Sequence, residues 1–398
     1  MKSIYITFYK INMINIGILK LLNNLKKKLK NKNNLHEPYL DTHDKRYVLE
    51  SILKKQVSTY GYFTRLFEIE LKKYLNTENV IATSSGTAAM HAIIQSLKLE
   101  RGDEVFVQSL NFIASINCLL YCGLTPHFID SSQRTLGADP IKLEEYIKKN
   151  FTLNNKILIN KLTKKRVRAI IITHIYGYSA DIYKLQRIAR KYNLILIEDA
   201  AECIGSKFND KHLGLFGDYG ILSFNGNKTI TTGGGGVILC KDKKNYKKLF
   251  HLVTLSKIKK NNYQEYNGLG FNYRMPSLNA ALGISQLKKV TKILSKKKKL
   301  YLFYKKEILK QKLDTIKIYE PIENSLPNFW FVIFLLDNKK IKISDFTRIM
   351  KKNNIVYSHT WRLLHKLKYL KKYPKMNLSC AKNLEKKIIC MPSSPNNM

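Results

Sequence analysis

The sequence alternates short apolar segments with segments of helical periodicity, and this alternation restricts the fold more than any other feature. Strands that are apolar along their whole length and separated by helices are typical of a parallel sheet covered on both faces. The sequence therefore predicts an α/β protein whose chemistry lies at the carboxyl ends of the strands. The segments, in order from residue 79, are NVIATSSG, TAAMHAIIQSLKL, DEVFVQS, VRAIIITHIYG, DIYKLQRIARKY, LILIEDAA and GILSFNGNK.

The length and composition limit the number of domains. The chain has 398 residues, and 44% of them are hydrophobic, which is enough to bury one large domain and one smaller domain. We expect a large domain that carries the chemistry over residues 35–290 and a small C-terminal domain over residues 291–398. The six cysteines form no CxxC pair and no regular framework, so we expect reduced thiols and no metal site.

Residues 1–34 form a basic extension ahead of the alternating segments. Its apolar stretches are interrupted by lysine and asparagine, and no small-residue cleavage site follows, which argues against a signal peptide. Residues 16–30 could form a basic amphipathic helix on an anionic surface, with a disordered extension as the alternative. Because no segment is long and apolar enough to span a bilayer, we expect no transmembrane segment, and the reduced cysteines predict a cytoplasmic protein.

Charge is the most extreme property of the composition. The chain has 70 Lys and Arg against 29 Asp and Glu, a formal net charge of +41. A protein that reads nucleic acid should concentrate this charge on one element, whereas lysine is scattered along the whole chain here. We therefore expect solvated basic faces that attract acidic small molecules, without a specific nucleic-acid partner.

Small and aromatic residues follow the first two predicted strands. Gly86, Thr87 and Ala88 begin a helix, where free amides and the helix dipole can hold a phosphate. An ordinary helix cap is the alternative. Phe112 follows DEVFVQS, where its ring could stack on a flat ligand, and a core position is the alternative for this residue.

Two carboxylates end the apolar strand LILIED. Glu198 and Asp199 would be costly at that position without a partner. A protonated pyridine nitrogen would be one such partner. A cap on the following helix is the alternative for Asp199.

Lys228 stands apart from the other lysines of the chain. It lies in the small polar stretch SFNGNK, and four glycines follow at 233–236. An amine that forms a Schiff base must lose its proton near neutral pH. We expect this setting to keep salt-bridging acids away from Lys228 and to let the backbone approach closely. A phosphate loop, a stacking aromatic, an acid and such a lysine, in this order, predict a pyridoxal 5'-phosphate site.

About residues 35–395 resemble the DegT/DnrJ/EryC1/StrS family of sugar-nucleotide aminotransferases. The resemblance implies the type I pyridoxal phosphate-dependent transferase (aspartate aminotransferase-like) fold. This fold has a mixed, mostly parallel sheet in the large domain and a smaller C-terminal α/β domain. LHEP, SFNGNK with its four glycines, and IICMPSS further resemble the branch that aminates 4-keto-6-deoxy sugar nucleotides on the way to bacillosamine- or legionaminic-acid-type sugars. The similar stretches are GTAAMH, GDEVFVQSLNFIAS, CGLTPHFID, IEDAAECIGS, GDYGILSFNGNKTITTGGGG and GFNYRMPSLNAALGISQL.

The resemblance also assigns roles to residues in the matching motifs. Lys228 would be the catalytic Schiff-base lysine, and Asp199 would pair with the pyridine nitrogen. Phe112 would stack on the ring, and Glu202 would lie beside it. The implied cofactor-binding residues are Gly86, Thr87, Ala88, Phe112, Asp199, Glu202, Ser223, Lys228 and Asn272.

Some of the implied contacts extend beyond one cofactor site. Asn272 in FNYRM would reach the cofactor phosphate of a neighbouring subunit, which implies a homodimer. His174 and His365 match histidines near the substrate pocket. Arg274, with nearby lysines such as Lys257, could bind a diphosphate of the substrate, and an internal ion pair is the alternative for Arg274.

The implied reaction moves the amine of L-glutamate to C4 of a nucleotide-linked 4-keto-6-deoxy sugar, expected to be of the UDP-N-acetyl type, for a surface glycan. A GDP-linked or a 3-keto sugar remains open. A dehydratase with this fold would have histidine in place of Lys228. The alternative of another class is a nucleic-acid-binding or regulatory protein on a degenerate aminotransferase scaffold, against which the intact motifs argue.

Two departures from the family pattern affect the expected small domain and the substrate. HTWRLLHKLKYL lacks a proline-rich run before His365. The sequence also ends with MPSSPNNM, where the family pattern implies a closing helix. Neither departure involves the expected cofactor residues.

Overall fold

The computed structural model describes residues 16–29, 34–260 and 263–398. Its helices are α1 (residues 16–28), α2 (Thr42–Leu53), α3 (Tyr62–Leu75), α4 (Gly86–Ser96), α5 (Ala114–Tyr121), α6 (Pro140–Asn150), α7 (Ile182–Lys191), α8 (Lys243–Val253), α9 (Ser277–Lys288), α10 (Val290–Lys310), α11 (Ile343–Lys352) and α12 (Ser379–Glu385). Its strands are β1 (Val80–Thr83), β2 (Glu104–Gln108), β3 (Thr125–Ile129), β4 (Phe151–Asn154), β5 (Ile157–Asn160), β6 (Arg166–Thr173), β7 (Ile195–Asp199), β8 (Lys207–Phe208), β9 (Lys211–His212), β10 (Tyr219–Ser223), β11 (Gly236–Cys240), β12 (Lys257–Lys260), β13 (Tyr263–Tyr266), β14 (Ile316–Ile318), β15 (Ser325–Leu326), β16 (Val332–Leu336), β17 (Ser358–His359) and β18 (Ile388–Met391).

The large sheet has the strand order β1-β11-β10-β7-β6-β2-β3, with the β4–β5 hairpin attached beside β6. Neighbouring strands from β10 to β3 run parallel, and β11 runs antiparallel to both of its neighbours. All residues of β1, β2 and β11 are buried, because helices cover both faces of the sheet. The structure confirms the predicted mixed, mostly parallel sheet.

The C-terminal part of the chain forms a smaller unit. Strands β14, β16, β18 and β17 build an antiparallel sheet against the buried face of α10. The chain between β14 and β16 returns to the large domain, where β15 pairs with β8. Residues beyond position 290 therefore reach the region that holds the predicted site.

The described part of the N-terminal extension is a packed helix. Asn24 of α1 donates a hydrogen bond to Glu307 of α10 at 2.7 Å, and Gly17 lies against Leu313 just beyond that helix. The apolar face of α1 is covered by the rest of the protein. In this structure residues 16–29 are therefore neither a disordered extension nor a helix whose apolar face is available to a membrane. The buried side chains of this segment are Ile18, Leu21, Leu22, Leu25 and Leu29.

Crossing a lipid bilayer requires a long and apolar helix. Within residues 16–29, 34–260 and 263–398, no helix combines the required length with the required apolar character.

Candidate active site

A cavity of about 360 Å³ opens at the carboxyl ends of the central parallel strands. Thr173, Asp199 and Ser223 are the last residues of β6, β7 and β10, and all three line the cavity. Parallel strands end at the same edge of a sheet, so residues far apart in the sequence meet there. The cavity also contains the predicted residues Gly86, Thr87, Phe112, Glu202 and Lys228.

The start of α4 forms one wall of this cavity. Ser85 caps the helix, and its Oγ accepts a hydrogen bond from the Ala88 amide at 3.0 Å. The amides of Gly86 and Thr87 belong to the first helical turn, which lacks intrahelical partners and attracts anions. Gly86 packs so closely on Ser223 that an added Cβ would lie 3.0 Å from the Ser223 Cβ.

One of the four consecutive glycines is required for this close packing. A Cβ on Gly236, the first residue of β11, would lie 2.4 Å from the Gly86 nitrogen. Any larger residue at position 236 would push the start of α4 away from Ser223. The glycine therefore keeps the anion-attracting helix end against the strand that carries Ser223.

Asp199 supplies a fixed carboxylate inside the cavity. Only 7% of the residue is exposed. Its Oδ2 accepts a hydrogen bond from Ser115 Oγ at 2.6 Å, and its Oδ1 accepts one from the Ala201 amide at 3.2 Å. Ser115 was not predicted as a site residue, although it belongs to the same stretch as Phe112. These two donors fix the orientation of a carboxylate that could face a protonated ring nitrogen.

The neighbouring carboxylate, Glu198, serves a different purpose. It accepts hydrogen bonds from the amides of Gly214, Phe216 and Gly217, at 2.5 to 2.9 Å. It also accepts one from His174 Nε2 at 2.9 Å. The partner of this acid is thus a loop backbone and not a cation of the site.

His174 belongs to this internal network and does not line the cavity. Its ring is fully buried, and its Nδ1 accepts a hydrogen bond from the Ala180 amide at 3.1 Å. Since Nδ1 is an acceptor, Nε2 carries the proton that is donated to Glu198. The adjacent Thr173 lines the cavity instead.

Lys228 has the acidic partner that its local sequence lacks. Its Nζ lies 3.2 Å from Glu202 Oε1 and 4.0 Å from the centre of the Trp330 ring. The expectation that acids are kept away from Lys228 was wrong, because the loop after β7 brings Glu202 to it from 26 positions away. Burial raises the pKa of Glu202 to about 7, and the charge of Lys228 opposes that rise.

Aromatic side chains form the remaining wall. The chain has two tryptophans, Trp330 and Trp361, and both line the cavity. Phe112 is 54% exposed, and its ring centre lies 6.3 Å from that of Trp361. Sequence reasoning missed both tryptophans, and the only available signal was the rarity of this residue in the chain.

The other predicted residues lie outside the cavity. Arg274 is 7% exposed and forms an ion pair with Glu68 at 2.5 Å, so the internal ion pair is its observed state. His365 is buried, with its Nδ1 2.7 Å from Ser109 Oγ. Asn272 is exposed to solvent, and Ala88 is buried in α4 behind the cavity wall.

Pyridoxal 5'-phosphate fits this donor set. The start of α4 and Ser223 offer donors for a phosphate, and Asp199 offers a carboxylate for a pyridinium nitrogen. Phe112 offers an aromatic face, and Lys228 offers an amine to an aldehyde carbon. All of these groups line one cavity of about 360 Å³.

Comparison with known proteins gives the same assignment. The DegT/DnrJ/EryC1/StrS aminotransferase family matches residues 38–397. A GDP-perosamine synthase from Escherichia coli O157:H7 is 32% identical over 301 residues, covering 76% of this chain and 77% of the relative. A UDP-4-amino-4,6-dideoxy-N-acetyl-beta-L-altrosamine transaminase from Campylobacter jejuni is 31% identical over 288 residues, covering 72% and 73%.

The fold has solved relatives as well. Helicobacter pylori PseC, an aminotransferase of pseudaminic acid biosynthesis, superimposes with a TM-score of 0.82 at 23% identity, over 92% of this chain and 95% of PseC. This likeness supports the type I transferase fold. The chain therefore belongs to the DegT/DnrJ/EryC1/StrS family of aminotransferases, whose cofactor is pyridoxal 5'-phosphate.

Proposed function

We propose that this aminotransferase moves the amine of L-glutamate to C4 of a nucleotide-linked 4-keto-6-deoxy sugar, and that the sugar is a UDP-linked N-acetylhexosamine used for a surface glycan. The observation that carries the proposal is the convergence of Lys228, Asp199 and the start of α4 on one cavity. A relative whose name specifies a UDP-linked 4-amino-4,6-dideoxy sugar supports the position and the nucleotide.

Different residues of the cavity would have different roles in such a transfer. When bound, the cofactor would supply an electron-poor ring and an aldehyde carbon to which an amine can attach. Lys228 binds that carbon and moves a proton to and from the α-carbon of the donor through Nζ. Asp199, oriented by Ser115, stabilises positive charge on the ring nitrogen. Gly86, Thr87 and Ser223 hold the phosphate.

The aromatic wall suits the sugar part of a nucleotide-linked substrate. Phe112, Trp330 and Trp361 present apolar faces to the cavity, and such faces pack well on the C–H face of a hexose. The net charge of +41 attracts a nucleotide diphosphate towards the protein. A GDP-linked sugar is a second candidate, because the relative with 32% identity is a GDP-perosamine synthase.

Isotope transfer distinguishes these substrates. The purified enzyme would be incubated with ¹⁵N-glutamate and either UDP-linked or GDP-linked 4-keto-6-deoxy sugars, and the products would be analysed by mass spectrometry and NMR. We expect the label on C4 of the UDP-linked N-acetyl sugar. Labelling of the GDP-linked sugar alone would show that the nucleotide is GDP and not UDP. Labelling at C3 would show that the amine goes to C3 and not C4. Either result would leave the aminotransferase assignment intact.

We also infer that the working unit is a homodimer in the cytoplasm. The exposed face of α2 carries Leu49, Ile52 and Leu53, an apolar surface that a second copy could cover. Asn272 is exposed and free to approach such a copy. The cytoplasmic location is supported by six cysteines without a disulfide.

A further inference from the structure

The amine of Lys228 is held by two groups that both favour its charged form. The carboxylate of Glu202 lies 3.2 Å from Nζ, and the face of the Trp330 ring lies 4.0 Å from it. An ion pair and a cation–π contact each stabilise an ammonium. An amine must be neutral to attack a carbonyl carbon, so a proton has to leave Nζ before Lys228 can react.

Of the two groups in contact with Nζ, only Glu202 can accept this proton. The indole of Trp330 offers a π face, and its N–H donates to the Asn227 carbonyl at 2.8 Å. Asp199 is committed to Ser115 and to the Ala201 amide. Glu202 has one carboxylate oxygen on Lys228 and the other on the Tyr176 amide at 2.7 Å, so the oxygen towards Lys228 is available.

The surroundings of Glu202 suit a carboxyl that exchanges a proton near neutral pH. Burial raises its pKa to about 7, with Lys228 opposing the rise and Asp199 adding to it. Burial also raises the pKa values of the Tyr176 hydroxyl and of the Cys203 and Cys390 thiols well above neutrality. Among the described residues, Lys228 and Asp199 are the charged groups with the largest effect on the pKa of Glu202.

We propose that Glu202 accepts a proton from Lys228 to free its amine for covalent attachment to the cofactor, and returns the proton when the amine is released. An N–H bond of the ammonium breaks, its electron pair stays on Nζ, and an O–H bond forms on Oε1 of Glu202. The pair changes from carboxylate and ammonium to carboxylic acid and amine, so total charge is conserved. This inference rests on Lys228 being the reactive lysine, as proposed above.

Two substitutions separate a proton-transfer role from a structural one. Glu202→Gln keeps the side-chain length, and its amide oxygen can still accept from the Tyr176 amide, but it cannot take a proton. Glu202→Asp keeps a carboxylate that is one methylene shorter. Glu320→Gln is the matched control, because Glu320 forms a surface ion pair with Lys305 at 2.9 Å.

The first measurement follows attachment of pyridoxal 5'-phosphate to the cofactor-free enzyme by absorbance across neutral pH. Borohydride would trap the product, and mass spectrometry would locate it. We expect the wild-type rate to rise as Glu202 ionises near pH 7. Glu202→Gln should be slower by on the order of a hundredfold and should lose this inflection, whereas Glu202→Asp should recover part of the rate. Glu320→Gln should match the wild type.

The second measurement does not depend on the cofactor. Infrared difference spectra of the cofactor-free enzyme, with ¹³C-labelled glutamate, should show a protonated carboxyl band that disappears as pH rises through about 7. The band should be missing in Glu202→Gln. If Glu202→Gln kept the wild-type rate and pH profile, with the adduct on Lys228, the proposed role of Glu202 would be overturned. The proposed role of Lys228 would then still stand. An adduct on a different lysine in the wild type would overturn the role of Lys228, and this inference with it.

Discussion

At the scale of single residues, the proposed covalent chemistry of the cavity depends on Lys228. Its Nζ is surrounded by Glu202 and Trp330 and opens onto the cavity. Lys241, which lies on the surface 4.0 Å from Asp218, has no such setting. Lys241 therefore serves as a surface control when the reactivity of Lys228 is measured.

Lys228→Ala should lower kcat by at least roughly a thousandfold, because Lys228 is the only lysine among the described residues that lines the cavity, while the phosphate contacts should retain cofactor. Borohydride reduction of the wild type should leave a pyridoxyl adduct on the peptide that contains Lys228, as detected by mass spectrometry. Lys241→Ala should keep both turnover and adduct. An adduct elsewhere in the wild type would refute the assignment.

At the scale of elements, a buried polar cluster ties the β4–β5 hairpin to the amino end of β2. Glu104 accepts hydrogen bonds from His127 Nδ1 at 2.7 Å, from Asn160 Nδ2 at 3.0 Å and from Thr163 Oγ1 at 2.5 Å. The cluster lies at the edge of the sheet opposite the cavity. Burial acts to raise the pKa of Glu104, but these hydrogen bonds outweigh it and lower the pKa below 4.5.

This lowered pKa predicts a specific acid sensitivity. Because the folded pKa is below the unfolded value, Glu104 contributes stability above about pH 4.5, and this contribution is lost as pH falls through the folded value. Glu104→Gln should reduce the free energy of unfolding by about 2 kcal/mol at neutral pH, and by less in acid. Urea denaturation at several pH values measures the difference. A constant difference down to low pH would contradict the prediction.

At the scale of the whole molecule, the proposed dimer predicts complementation between subunits. If Asn272 contacts the cofactor phosphate of its neighbour, Lys228→Ala subunits and Asn272→Ala subunits should each be nearly inactive alone. Mixed in equal amounts after dissociation and reassociation, they should regain up to about a quarter of wild-type activity per site, because about half of the dimers are hybrids and each hybrid contains one complete site. A fully active monomer in analytical ultracentrifugation would rule out the shared site.

The net charge of +41 predicts binding to polyanions that depends on salt and not on sequence. Binding of random DNA should weaken by on the order of a thousandfold between low and physiological salt, since it would depend on counterion release. Fluorescence anisotropy with several unrelated duplexes measures this. Tight and sequence-selective binding at physiological salt would favour a nucleic-acid-binding function over a purely metabolic one.

Sequence alone determined the features that depend on local pattern. The alternation of apolar strands and helices predicted the sheet, and positions at or after strand ends placed Gly86, Asp199 and Lys228 in one predicted site; all three line the same cavity. This worked because parallel strands deliver their carboxyl ends to one edge, whatever the length of the connections. The motifs then identified the family and its cofactor.

Only the tertiary structure decided how side chains are divided between the cavity and the interior. Adjacent residues on a strand point in opposite directions, so Asp199 faces the cavity while Glu198 holds a loop, and Thr173 faces it while His174 does not. Trp330 reaches Lys228 from 102 positions away, through a chain segment that leaves the large domain and returns. Contacts of this kind depend on how separate elements pack, which the local sequence does not encode.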